Sequence, residues 1–284
     1  MMRPHPARLV LYAALLAAAL LFLAPLYVMV VASLKPLPEI RGGGIFALPE
    51  APTLAAWGKA WASACVGSNC VGLRPYYVNS WIMAIPAVAV SVAIGAVNGY
   101  ALTKWRFRGA EMFFAALLLG AFIPFQTILI PMARVLAALG LFGSIGGLVL
   151  IHVVYGIPVT TLLFRNFYLG VPDELMRAAR LDGAGFFRAF WHVILPLSPP
   201  MLAVAAILQF TGIWNDFLFG VVFSGPGSAP VTVALNNIAG ANFGAKEYNV
   251  DMAAALLTAL PTLIVYLVSG RYFLRGLGAG AIKG

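Results

Sequence analysis

Charged side chains are scarce in this chain of 284 residues. There are 9 acids and 18 bases, 10% of the total against 62% hydrophobic, and the mean hydropathy is +0.94. A soluble globular domain carries roughly 25% charged residues, so an integral membrane protein is expected, and no separate water-soluble domain is visible. Histidine and cysteine are also few. His5, His152 and His192 share no metal-ligand spacing, and Cys65 and Cys70 stand in CxxxxC, which is neither a CxxC redox pair nor enough for a zinc site. No glycine-rich phosphate loop precedes a lysine, and neither GxSxG nor HExxH occurs. No catalytic site and no metal site are expected on the chain. A net charge of +9 raises the question of nucleic acid, but no basic stripe interleaved with aromatics is present. The bases lie between apolar runs, where they set topology and meet anionic headgroups. The expected partner of this surface is the lipid bilayer, with no nucleic acid.

What is abundant is apolar sequence in long runs. A spanning helix needs about 20 mostly apolar residues, and six runs qualify: 9–33, 77–102, 112–133, 142–164, 197–223 and 250–272. The first is longer than the roughly 7–15 apolar residues of a signal peptide, so it reads as a retained anchor. Pro124, Pro131 and Pro158 fall inside runs, which suits a bundle whose neighbouring helices satisfy the freed carbonyls. With the N-terminus inside, twelve Lys and Arg fall on inner segments and six on outer ones, and KWRFR at 104–108 is the strongest single contributor. Both termini and the polar segment 165–196 are therefore expected in the cytoplasm, and the loop 34–76 outside.

An outside loop meets an oxidising compartment, where Cys65 and Cys70 can close a small disulfide ring. Two unpaired thiols stay open as the alternative, because connectivity does not follow from sequence. The same loop holds LAAWGKAWASA, with Leu54, Trp57 and Trp61 at helical spacing, a pattern suited to the headgroup region.

One polar island interrupts the apolar runs. RNFYLGVPDELMRAARLDGAGFFRAFWHVILPLSPP covers 165–200 and concentrates Asp173, Glu174, Arg177, Arg180, Asp182 and Arg188. It reads as two short helices. In the first, Pro172 takes the first helical position, Asp173 and Glu174 favour the positive end of the dipole and Arg180 the negative end. Gly183 is the stop. Leu175, Ala178 and Ala179 fall at i, i+3, i+4, an apolar face small enough for another backbone to approach, rimmed by charge that favours register. The second helix, about 186–193, carries Phe186, Phe187, Phe190 and Trp191 forward. A docking element is one reading; an amphipathic helix lying on headgroups is the other.

ELMRAARLDGAG, followed by ILPL, resembles the EAA loop of ABC importer permeases: Glu-Ala-Ala, three residues, Gly, about nine residues, then a hydrophobic residue with Leu-Pro. Ala178, Ala179, Gly183, Ile194, Leu195 and Pro196 match in place. The ending YFLRGLGAGAIKG is similar to that of sugar permeases of the maltose-G type, and WNDFLF at 214–219 resembles their fifth-helix motif. The likeness covers essentially the whole chain.

The resemblance implies an all-α integral membrane protein with six transmembrane helices, the type I ABC importer permease fold, and both termini cytoplasmic. It implies a single permease domain over 1–284. It further implies a second permease subunit forming a heterodimer, an ATP-binding protein dimer and an external sugar-binding protein. ATP and Mg would sit on the partner ATPase, with no cofactor on this chain. The loop 172–196 would couple to that ATPase through Glu174, Leu175, Arg177, Ala178, Ala179, Asp182, Gly183, Leu195 and Pro196. One departure stands out: Arg177 occupies the motif's glutamate position, and Glu174, one turn earlier, is the nearest substitute.

Polar groups inside the runs are few. Asn98, Gln126, Gln209, Asn215 and Asp216 are the candidates, and a carboxylate at mid-bilayer costs about 2.5–3.5 kcal/mol on insertion scales. Gln126, Gln209, Trp214, Asn215 and Asp216 form the candidate substrate path, with Trp214 able to stack on a sugar face. A helix–helix hydrogen-bond cluster is the bland alternative. The Cys65/Cys70 loop, NNIAG and KEYNVDMAAALLTALP look most like the glucose/mannose members of the class. The expected cargo is a monosaccharide, with a di- or oligosaccharide next. An ion-coupled carrier or channel would call for repeats or paired interrupted helices, and no repeat is visible.

Overall fold

The computed structural model describes residues 6–105, 107–240 and 246–281. Its elements are all helical: α1 (Pro6–Ser33), α2 (Leu37–Gly42), α3 (Ala55–Ala62), α4 (Arg74–Lys104), α5 (Ala110–Phe122), α6 (Phe125–Ala138) and α7 (Ile145–Leu169). They continue with α8 (Asp173–Leu181), α9 (Phe186–Ala189) running into a π turn (Phe190–Ile194), α10 (Leu195–Leu197), α11 (Pro199–Trp214), α12 (Leu218–Phe223), α13 (Val231–Gly240) and α14 (Tyr248–Ala281). Among the described residues no strand forms beyond two isolated bridges.

Four helices are long and apolar enough to cross a membrane: Arg8–Ser33, Arg74–Lys104, Ile145–Leu169 and Tyr248–Ser269. The other two apolar runs are broken. The run 112–133 was expected as one span; it is α5 and α6 meeting at 102°. Pro124 drives the preceding Ile123 out of the helical region, to φ −66 and ψ 123. The run 197–223 breaks twice. Pro199 and Pro200 follow an 81° turn at Ser198, and Asn215–Phe217 separate α11 from the short α12. The described residues thus hold four helices long and apolar enough to cross a membrane, or six if each bent pair is one span, with the bends at prolines that the sequence placed in or beside the runs.

The chain divides into two compact units, Met1–Pro75 with Ala234–Leu260, and Tyr76–Val233 with Pro261–Gly284. In the first, loops are tied to helices by side chains. Trp57 Nε1 donates to Ser33 Oγ at 3.1 Å, Tyr27 Oη to the Phe46 carbonyl at 2.9 Å, and Asn249 Nδ2 to the Lys35 carbonyl at 3.1 Å. Lys59 pairs with Glu247, and Lys246 lies 3.0 Å from Asp251. Cys65 and Cys70 are joined as a disulfide. The inward face of α3 is Ala56 and Ala60, while Leu54 and Trp61 point outward.

In the second unit, α4 and α7 approach closely. A methyl placed on Gly95 would lie 2.3 Å from Thr160 Oγ1, and one on Gly99 2.6 Å from Phe164 Cβ. Small residues permit this distance, and polar groups bridge it. Thr160 Oγ1 donates to the Ser91 carbonyl at 2.9 Å, and Asn98 Nδ2 to Thr161 Oγ1 at 3.2 Å. A core containing Tyr100, Phe164, Tyr168, Met176, Ala179, Phe190 and Ile194 joins α4 and α7 to α8, α9 and the π turn. The polar island is therefore folded onto its own helices.

Candidate functional site

The island's first helix is defined at both ends. Pro172 lies just outside α8 (φ −59, ψ 135), one position earlier than expected, and Asp173 opens the helix. Asp173 and Glu174 occupy the first turn and Arg180 the last, complementing the dipole. At the other end Gly183 has φ +74; its N–H bonds the Arg180 carbonyl, and the Ala184 N–H bonds the Ala179 carbonyl. This is a Schellman closure, and its left-handed residue favours glycine.

The faces of α8 differ from the expected division. Met176 and Ala179 are its buried residues, because they meet the Tyr100–Phe164 core. Leu175 and Ala178 are exposed, as are Glu174, Arg177, Asp182 and Gly183. Ala179 is thus a packing residue, and the outward apolar face is Leu175, Ala178 and Leu181, the last 90% exposed. Arg177 and Glu174 pair with each other at 3.3 Å.

The second helix divides similarly. Phe190 is buried and Phe186 lies 4.8 Å from the Tyr100 ring, whereas Phe187 and Trp191 are exposed. Only two of the four aromatics expected to project do so. The π turn precedes Pro196. Proline has no N–H and its ring crowds the carbonyl four residues back, and the widened turn closes instead through the Leu195 N–H to the Phe190 carbonyl. Leu195 is half-buried and Pro196 exposed.

A second polar place lies between α7, α11 and α12. Asp216 sits in the break after α11. Its Oδ2 accepts the Gly220 N–H at 3.2 Å, and its carbonyl accepts the Thr232 hydroxyl at 2.6 Å. Gln209 Nε2 donates to the Gly156 carbonyl at 3.3 Å. His152 Nε2 lies 3.9 Å from Asp216 Oδ2, and it is buried with no hydrogen-bond partner among the described residues. A cavity of about 290 Å³ opens between these groups, with Tyr155 and Phe219 on its wall. Its polar groups are hydrogen-bond donors and acceptors beside aromatic faces, a combination suited to a hydroxylated solute.

The five expected path residues do not all meet here. Gln209 and Asp216 line the cavity; Gln126 and Asn215 are exposed and do not. Trp214 is fully buried, stacked on Phe210 at 5.5 Å with Tyr77 at 5.2 Å and Trp81 at 5.0 Å. Its ring is occupied by neighbours, so it braces the wall and presents no face for stacking.

Residues 76–277 match the family described as binding-protein-dependent transport system inner membrane component. The chain belongs to this family. It is 47% identical over 188 residues to a probable ABC transporter permease protein of Pyrococcus horikoshii, covering 66% of this chain and 68% of the relative. It is 33% identical to the xylose/arabinose import permease protein of Haloferax volcanii over 90% of this chain and 87% of the relative. Among solved structures, a bacterial ABC transporter involved in the import of the acidic polysaccharide alginate superposes with a TM-score of 0.80, 23% identity, and coverage of 96% and 99%. That likeness establishes the ABC importer permease fold.

Sequence reasoning left His152 and Tyr155 out of the path. The available signal was spacing: His152, Tyr155, Gly156 and Val159 recur at i, i+3, i+4, i+7 on α7, and all four line the cavity. Of the tail that carries part of the family resemblance, residues 282–284 lie outside the described residues, as do Arg3, His5 and Arg106.

Proposed function

We propose that the chain is the permease subunit of an ATP-driven sugar importer, working by alternating access with a second permease, an ATPase dimer and an external binding protein. The observation that carries this reading is α8. It is anchored by Met176 and Ala179 on its own helices while Leu175, Ala178 and Leu181 stay outward beside charged residues. A helix held on one side and bare on the other is a docking element. ATP and Mg belong to the partner ATPase, which seats the loop 172–196. Glu174 and Arg177 are both exposed and neutralise each other; such a helix pair contributes only about 0.2–0.5 kcal/mol. Docking opens it cheaply, and Glu174 is then free for a basic contact on the partner.

The lysine and arginine bias supports six crossings with both termini and the island in the cytoplasm, and the 34–76 loop outside. For a single permease domain over 1–284 the support is the likeness to one solved chain over 96% of the length. For the cargo we propose a monosaccharide of the glucose/mannose kind. The support for a monosaccharide is the small cavity, about 290 Å³ beside the ~300–1,000 Å³ of ligand pockets, and the relative named for xylose and arabinose. The glucose/mannose kind rests on the sequence likeness of the Cys65/Cys70 loop, and the alternative cargo is a di- or oligosaccharide, as in the relative named for alpha-glucosides.

Cross-linking tests the reading. A cysteine at Ala178 is scanned against cysteines on the ATP-binding protein that copurifies from membranes. A cross-link whose yield changes with ATP is expected. Protection of Ala178 by lipid, with no ATPase contact, would return the island to the membrane surface and refute the coupling role.

A further inference from the structure

The island is attached to the end of α4 at two separate points. Lys104, the last residue of α4, is 5% exposed, and its Nζ lies 2.6 Å from both Asp173 Oδ1 and the Val171 carbonyl. This holds the start of α8. At the other end of α8, Arg180 donates to the Lys104 carbonyl at 2.9 Å and places its guanidinium 4.8 Å from the Trp105 ring centre. Tyr100 adds a third tie, donating to the Phe186 carbonyl at 3.2 Å. A desolvated ammonium with two acceptors and a guanidinium seated on an aromatic face fix geometry closely. Toward α11 the island has apolar packing only, Ala205 being buried in the same core as Met176 and Ala179, and a covalent route through α9, the π turn and an 81° bend.

We propose that α8 and residues 100–105 move as one rigid lever, so that displacement of the docking helix is delivered to α4 through these polar ties. Lys104, Asp173 and Arg180 are its positioning residues. The far part of α4 has a receiver. Asn79 Nδ2 donates to the Gly227 and Ala229 carbonyls at 2.9 and 3.0 Å, and the Val231 N–H donates to Ser80 Oγ at 2.8 Å. The next residue, Thr232, holds the Asp216 carbonyl. A helix of 31 residues spans about 46 Å, long enough to connect docking helix and cavity. The inference rests on the importer reading proposed above.

The test uses the complete importer reconstituted in liposomes, with ATPase and binding protein. Cysteines replace Lys104 and Asp173, and a short bifunctional thiol reagent joins them; Cys65 and Cys70 are already paired. Couplings between sites commonly amount to factors of about 5–150, so binding-protein stimulation of ATP hydrolysis is expected to fall about tenfold in the unlinked variant. Basal hydrolysis and ATPase association, which report folding, should persist. Joining the two cysteines should restore stimulation and uptake. Parent-level stimulation in the unlinked variant overturns the lever, and so does a cross-link that fails to restore it. Asp173→Asn, at a side chain 65% exposed, gives the same comparison where folding is not at stake: reduced stimulation is expected and parent-level stimulation counts against the lever. Absence of any stimulation in the unaltered complex would instead refute the importer reading, and the lever with it.

Discussion

Gly99→Ala is expected to loosen the α4–α7 pair far more than its single added carbon suggests. The new Cβ would stand 2.6 Å from Phe164 Cβ, 2.7 Å from the Arg165 nitrogen and 2.8 Å from the Phe164 carbonyl carbon. Carbon atoms rest about 3.5–4.0 Å apart, so the helices must separate by about 1 Å. Two of the three obstacles are backbone, which no rotamer change removes. Overpacking of this kind costs about 1–3 kcal/mol. The separation also stretches Thr160–Ser91 and Asn98–Thr161, now 2.9 and 3.2 Å, toward or past bonding distance, and interhelical bonds in membranes average about 0.6 kcal/mol each. The sum is about 2–4 kcal/mol. Unfolding of the purified chain by SDS titration in mixed micelles reads it directly, as a midpoint shifted to lower SDS. A midpoint equal to the parent's would refute the close approach. Phe164→Ala should not rescue Gly99→Ala, because alanine keeps the Cβ and leaves both backbone obstacles in place.

Ala179→Glu is expected to lower the yield of folded protein, because it buries a charge among Met176 and Phe164, whereas Ala178→Glu should fold normally and fail to retain the ATPase on copurification. Arg188→Ala, at an exposed side chain, should leave that association intact. His152→Ala and Asp216→Asn should each cut sugar uptake in proteoliposomes at least several-fold with normal expression; unchanged uptake would leave those residues a packing role only. Replacing Cys65 and Cys70 by serine should loosen residues 64–73, by about 2 kcal/mol on loop entropy, seen as faster proteolysis there, while uptake persists.

The sequence made the helical architecture legible through run length, and its motif singled out the segment 172–196 that we propose as the docking loop. Two things were hidden. Which side of α8 faces inward depends on residues far along the chain, Tyr100 and Phe164, so the pattern Leu175–Ala178–Ala179 looked like one face when tertiary contact splits it. The cavity was partly legible because Gln209 and Asp216 are polar in apolar surroundings. His152, a lone histidine without metal-ligand spacing, gave no such signal, and only the α11–α12 break brings Asp216 to within 3.9 Å of it. Trp214 erred the other way: next to a carboxylate it suggests a sugar platform, yet Phe210, Tyr77 and Trp81 already cover its ring.

The bend at Pro124 bears on how the chain enters the bilayer. Helices α5 and α6 have 13 and 14 residues, about 20 Å each at 1.5 Å per residue, and the hydrocarbon core is about 30 Å thick. Neither can be handed to the membrane alone, and the groups freed at Ile123–Pro124 need partners that lipid does not supply. Arg165 of α7 reaches Glu111 at 3.2 Å and covers the Phe114 ring at 4.2 Å. The broken span is thus a late guest during synthesis: beyond its packing on Leu102 of α4, it gains the Arg165 contacts only once the ribosome has delivered α7, about thirty residues after α6 is complete. In a nascent chain arrested before Arg165, single cysteines placed in α5 and α6 should still react with a water-soluble thiol reagent, and in one arrested after α7 they should not.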